Sequence, residues 1–149
     1  MIRSILAAVL VFLAALMDVG AAGAQQPTIQ GAWNARVYRL ANGQVHTVRG
    51  RIFFADAEWQ ILFFVMDNDE PRRGSGEGGT YTLRGDHLTF EHHYLLAAGD
   101  EMSGLPATSL RMEARDGSGP SESTRIELTD DLLILHFLSG NSLEFTRSD

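Results

Sequence analysis

The chain has 149 residues, no cysteine, 12 basic against 19 acidic residues and a formal charge of −7. A net acidic chain argues against partners such as nucleic acid or an anionic membrane, because both call for a basic patch. Disulfides are excluded, so about 125 residues left after the leader described next must hold one domain together by burial, hiding about two-thirds of the unfolded surface.

Met1 to Ala24 reads as a signal peptide. Arg3 supplies the positive start, and Ile5 to Leu16 is an unbroken apolar run of 12 residues. Ala22-Gly23-Ala24 is the small-x-small pattern that a signal peptidase cuts. Asp18 interrupts the run too early for a membrane span, which needs about 20 apolar residues. The expected mature chain is residues 25–149, starting at Gln25, in the periplasm or outside the cell.

From Ile29 onward the apolar residues recur with period two, the signature of strands rather than helices. A first strand from about Ala32 to Leu40 places Trp33, Ala35 and Val37 on one face, with Asn34 and Arg36 on the other. Asn42-Gly43 suits a two-residue hairpin turn, since both types tolerate positive φ. The second strand runs from about Val45 to Phe54 and contains Gly50, where a bulge or sharp bend is expected. The third, Trp59 to Met66, is apolar on both faces: Trp59, Ile61, Phe63 and Val65 on one, Leu62, Phe64 and Met66 on the other. Leu132 to Leu138 does the same. Strands of that kind must be covered on both sides, by the chain's own loops or N-terminus or by a partner; the expectation is that either Leu62, Phe64 and Met66, or Leu133, Leu135 and Phe137, form a contact surface for a second copy or an envelope protein.

Asp67 to Gly79 reads as a solvated, glycine-rich loop. Its acidic run does not continue as a calcium loop, because Pro71 and Arg72 stand where an oxygen ligand and a glycine would be needed. Strands resume at Gly79–Leu83 and Leu88–Leu95, joined through Gly85-Asp86. After a looser stretch from Ala97 to Pro106 come Ser109–Ala114, the loop Asp116–Ser121, and closing strands at Thr124–Leu128, Leu132–Leu138 and Leu143–Arg147. Eight to ten short strands at hairpin spacing, with no helical period among them, predict an all-β antiparallel fold, an up-and-down barrel or a sandwich.

Three short motifs resemble those of small bacterial lipocalin-like proteins. They are Gly31-x-Trp33 at the first strand, Gly79-Thr80-Tyr81-Thr82-Leu83 with Gly85-Asp86-His87-Leu88-Thr89, and Asp131-x-Leu133 before the last hairpin. The resemblance spans most of Ile29 to Arg147 and implies an up-and-down barrel. It also implies that Trp33 plugs the closed end and that Arg147 lies across it.

Within such a barrel, Leu88 and Phe90 pointing inward would carry His92 and Tyr94 with them and leave Glu91 and His93 outside. Ile134 inward would carry His136, and Tyr81 shares a face with Leu83. Tyr81, Phe90, His92, Tyr94 and His136 are therefore the candidate ligand-binding residues of a lumen suited to a small hydrophobic or amphipathic molecule. No metal or other cofactor is expected. His92 and His93 leave opposite faces of one strand, and no thiolate or His-Glu-x-x-His accompanies them. No Gly-x-Ser-x-Gly or other nucleophile arrangement is present either, so no catalytic residue is assigned. Three functions follow: a binding protein for a hydrophobic ligand, a protein-facing barrel such as an inhibitor or envelope subunit, and, least favoured, a lipid cyclase or isomerase.

Overall fold

The structure is a computed structural model and describes residues 27–149; the expected leader and cut site lie outside the described residues. Nine strands follow one another: β1 (Gly31–Arg39), β2 (Val45–Ala55), β3 (Glu58–Asp67), β4 (Glu70–Arg84), β5 (His87–Gly99), β6 (Thr108–Ala114), β7 (Ser121–Leu128), β8 (Leu132–His136) and β9 (Ser142–Arg147). Neighbours pair antiparallel in the order β4-β3-β2-β1-β9-β8-β7-β5, and β4 also pairs with β5. The sheet therefore closes into an eight-stranded barrel, and β6 is an extra strand on the far half of β5. This is an all-β antiparallel closed barrel, an architecture consistent with a calycin-like fold.

Alternation explains most of the inside. Val48, Ile52 and Phe54 of β2, Trp59, Ile61 and Val65 of β3, and Leu133 and Leu135 of β8 are all buried toward the axis. Leu133 and Leu135 are 0% and 1% exposed and Phe137 packs against the same core, so this trio is interior and is no contact surface. Closure of the barrel puts that face of β8 inside. Ile134 and His136 accordingly face outward, where His136 Nε2 lies 2.8 Å from Glu127 Oε1.

Two bulges overturn local readings. The β1–β9 register shifts between Ala35 and Val37, so Arg36 is the extra residue. Val37 is thereby turned outward, and Tyr38, not Val37, joins Trp33 and Ala35 inside. The β4–β5 register shifts between Gly78 and Gly79: Gly79 pairs with His92 and Gly78 with Tyr94, leaving His93 unpaired. His92 stays inside with Phe90, while Tyr94 is turned out and is 47% exposed.

The stretch expected to be a loop is mostly β4. Asn68 and Asp69 both take positive φ (48° and 67°), as a tight hairpin turn requires, and the strand begins at Glu70. Register places Gly74, Gly76 and Gly78 on the outer face and Arg73, Ser75 and Glu77 on the inner face. A strand with polar residues inside and glycine outside carries no apolar period.

The closed end is built around Trp33, which is fully buried and donates its indole N–H to Ile29 O at 2.8 Å. Arg147 pairs with it across β1 and β9, and the guanidinium carbon lies 4.0 Å from the ring centroid. At the opposite end the β5–β6 connection, residues 100–107, folds back over the barrel. Met102 and Leu105 pack on the core, and Gln44 Nε2 donates to Ser103 Oγ at 2.5 Å.

Candidate functional site

Above the closed end the interior holds a cavity of about 200 Å³. Its walls come from strands whose inward positions are aromatic or aliphatic: Ile52, Trp59, Ile61, Phe63, Phe90 and Leu135 among them. Trp59 and Phe90 have ring centroids 4.4 Å apart, and the Trp59 ring stands edge-on to the His92 imidazole at 5.2 Å. Against this apolar wall sits one charged cluster. His92 Nδ1 lies 3.0 Å from Glu77 Oε2, and His92 Nε2 lies 3.6 Å from Glu122 Oε2.

Three strands deliver this cluster. Glu77 faces inward because it pairs with Ile61, which is core. Glu122, near the start of β7, pairs with the inward Phe90. His92 is aligned with Gly79 across β4 and β5, just before the unpaired His93. The two carboxylates, Glu122 first and Glu77 second, raise the His92 pKa from the usual 6.5 to about 9, against the opposing pull of burial. Burial likewise pushes Glu77 upward, but bonds from His92 and Ser75 outweigh it and hold the carboxyl below its ordinary range. Near neutral pH His92 is therefore an imidazolium, held between the Glu77 and Glu122 side chains.

A second space of about 190 Å³ lies toward the covered end, lined by Val65, Arg73, Ala97, Leu105 and Thr108. Tyr38 and Phe63 line both spaces, packed edge-to-face at 6.4 Å, so the two rings form a partition. Asn141 Nδ2 donates to the Tyr38 hydroxyl at 2.9 Å. Burial pushes the Tyr38 pKa up, with the Asn141 bond working the other way. Arg73 is spread over three acceptors: Asp100 O at 2.5 Å, Pro106 O at 2.6 Å and Thr108 Oγ1 at 2.9 Å.

Of the residues expected from the sequence, Phe90 and His92 line the cavity. Tyr81 is inside but belongs to the closed half, edge-to-face with Phe54 at 5.1 Å and accepting from Gln30 Nε2 at 2.6 Å. Tyr94 and His136 are on the outer face, displaced by the bulge at His93 and by the parity of β8. Glu77, Glu122 and Tyr38 escaped the sequence reading. Arg73-x-Ser75-x-Glu77 does alternate with period two, and that was the available signal. Tyr38 was hidden by the bulge at Arg36, and Glu122 by a serine-rich surrounding that resembles a loop.

No protein-family model, curated protein or solved structure matches this chain.

Proposed function

We propose that the protein is an exported binding protein that holds one small amphipathic molecule in the barrel lumen, its polar end against Glu77, His92 and Glu122. The observation that carries this reading is the single charged cluster set in an aromatic wall beside a cavity of about 200 Å³. Binding sites of this sort are mostly apolar with a few placed polar groups. The volume lies below the usual range of about 300–1,000 Å³, so the favoured ligand is small. The cluster sets two acidic side chains about one cation, which disfavours a carboxylate and favours a neutral alcohol or an amine. The resemblance of Gly31-x-Trp33 and its companion motifs to lipocalin-like proteins supports the same reading.

Native mass spectrometry of protein recovered from the periplasm tests export and retention together: a mature chain starting at Gln25 with a co-purifying small molecule is expected. Titration with amines, alcohols and carboxylates of matched chain length tests the chemistry. Amines and alcohols should bind at least tenfold more tightly than the carboxylate, and His92→Ala should weaken binding where His93→Ala does not. Preference for the carboxylate, or equal effects of the two histidine variants, would overturn the assignment.

A further inference from the structure

Strand β6 is the one strand outside the closed barrel, and among the described residues it pairs with β5 alone. Its other edge is open, and Leu110 and Met112 are 61% and 71% exposed. The N–H of Arg115, the next residue, donates to His93 O at 2.8 Å. By antiparallel alternation the N–H and C=O groups of Leu110, Met112 and Ala114 then point away from β5, toward the open edge. An unprotected edge of this kind is a template for another strand. Natural edges are usually blunted by lysine, proline or an inward charge; this one carries alternating Arg111, Glu113 and Arg115.

The charges are self-complementary. When β6 is laid antiparallel on a copy of itself about Met112, Arg111 faces Glu113 and Glu113 faces Arg111, both on the same side of the sheet. Leu110 then faces Ala114, and Met112 faces Met112. A slip of two residues in either direction sets Arg111 against Arg111, or Glu113 against Glu113, so the charges select one register. The apolar side agrees. Leu62, Gly76, Leu96 and Met112 are successive cross-strand partners on the outer face of β3, β4, β5 and β6. Leu62 and Leu96 are each 50% exposed. Across a two-fold axis this row continues into its own copy, with the two methionines at the centre.

We infer that two copies of this chain associate through β6, edge to edge about a two-fold axis beside Met112. Such an interface is isologous, each half supplying what the other needs, and uses strand addition as its mode of recognition. The shared ladder is short, so the dimer is a reversible one at the small end of specific interfaces. It stands independently of any ligand in the lumen.

Sedimentation velocity over a concentration series of the mature chain is expected to show a monomer–dimer equilibrium. Arg111→Glu and Glu113→Arg should each give a monomer, because like charges then face each other twice. Mixing those two variants should restore a dimer, now a heterodimer, as should the double exchange within one chain. Because the chain has no cysteine, Met112→Cys supplies a single thiol. An antiparallel hydrogen-bonded pair sits about 5.5 Å apart at Cα, within disulfide reach, so mild oxidation should cross-link two copies, whereas Leu62→Cys should not. Circular dichroism checks that each variant stays folded. A monomer at every concentration overturns the inference. So does a dimer that ignores both charge reversals, which would place the interface elsewhere.

Discussion

The Arg147 guanidinium does three jobs at the closed end. It covers the face of Trp33, it donates to Asp130 O at 2.6 Å, and it ties down the incoming chain through Gln30 O at 3.0 Å and Thr28 O at 2.6 Å. Cation–π stacking contributes on the order of 1–2 kcal/mol when partly shielded, and each bond to a carbonyl adds about 1 kcal/mol. Arg147→Ala should therefore cost about 4–5 kcal/mol in urea unfolding. Arg147→Lys should recover less than half of that, because an ammonium has neither the planar face nor the fork. Trp33→Ala should cost about 3–5 kcal/mol, the range for a buried large aromatic. Full rescue by lysine would show that charge alone matters there. His92 gives a prediction of opposite kind, in pH. Its folded pKa of about 9 lies above the usual 6.5, so its contribution is complete below pH 6.5 and is lost as pH rises through 9. Glu77 is shifted down, so its contribution is present above its ordinary value and is lost as pH falls. Between pH 7 and pH 10 the wild type should lose on the order of 1–2 kcal/mol, allowing for partial solvent screening, and His92→Gln should show a flatter profile. A His92→Gln profile parallel to wild type would remove the cluster as the cause.

Strands β4 and β5 show where alternation succeeds as a guide and where it stops. Alternation from Trp59 to Met66 grouped Trp59, Ile61, Phe63 and Val65 on one face without saying which face is inward; the grouping holds because no bulge intervenes before Met66, and closure puts that face inside. The same reasoning carried Phe90 and His92 inside but failed two residues later, since nothing in His92-His93-Tyr94 announces an unpaired residue. It failed for β4 because glycines occupy the outer face and polar groups the lumen. The bulge also explains one glycine physically. A Cβ on Gly79 would stand 1.9 Å from Glu91 O, so any side chain there must push β4 and β5 apart. A Cβ on Gly76 would meet nothing closer than Leu62 Cδ1 at 3.6 Å. Gly79→Ala should therefore cost about 2–4 kcal/mol through backbone displacement, and Gly76→Ala less than about 1 kcal/mol. Thermal melts of the two variants compare these directly. Equal costs would mean that the sheet yields at Gly79 without strain.

At the scale of the whole molecule, closure brings the first and last strands together, and the β5–β6 connection covers the other end. The interior is thereby divided between a closed apolar half and two spaces of about 200 and 190 Å³ on either side of Tyr38 and Phe63. The all-β antiparallel fold was legible in the sequence because hairpin spacing and period two recur over most of residues 29–147, and closure into a barrel rather than a sandwich was what the Gly31-x-Trp33 resemblance implied. The division of its interior was not, because it depends on Tyr38 being turned inward by the bulge at Arg36. Under the proposed function, the two rings packed edge-to-face would limit the length of a ligand in the lower space. Phe63→Ala removes one of them and joins the two spaces, while Tyr38 remains held by Asn141. The expected cost is about 3–5 kcal/mol for deleting a large, partly buried ring, nearer the low end because Phe63 is not fully enclosed. The expected gain is length: in a series of straight-chain amines, the chain length bound most tightly should increase by several carbons relative to wild type. Tyr38→Phe is the control, since it keeps the ring and loses only the hydroxyl bond, and its preferred length should not change. If Phe63→Ala loses stability while the preferred length stays the same, the rings are packing elements alone, and the two spaces do not communicate.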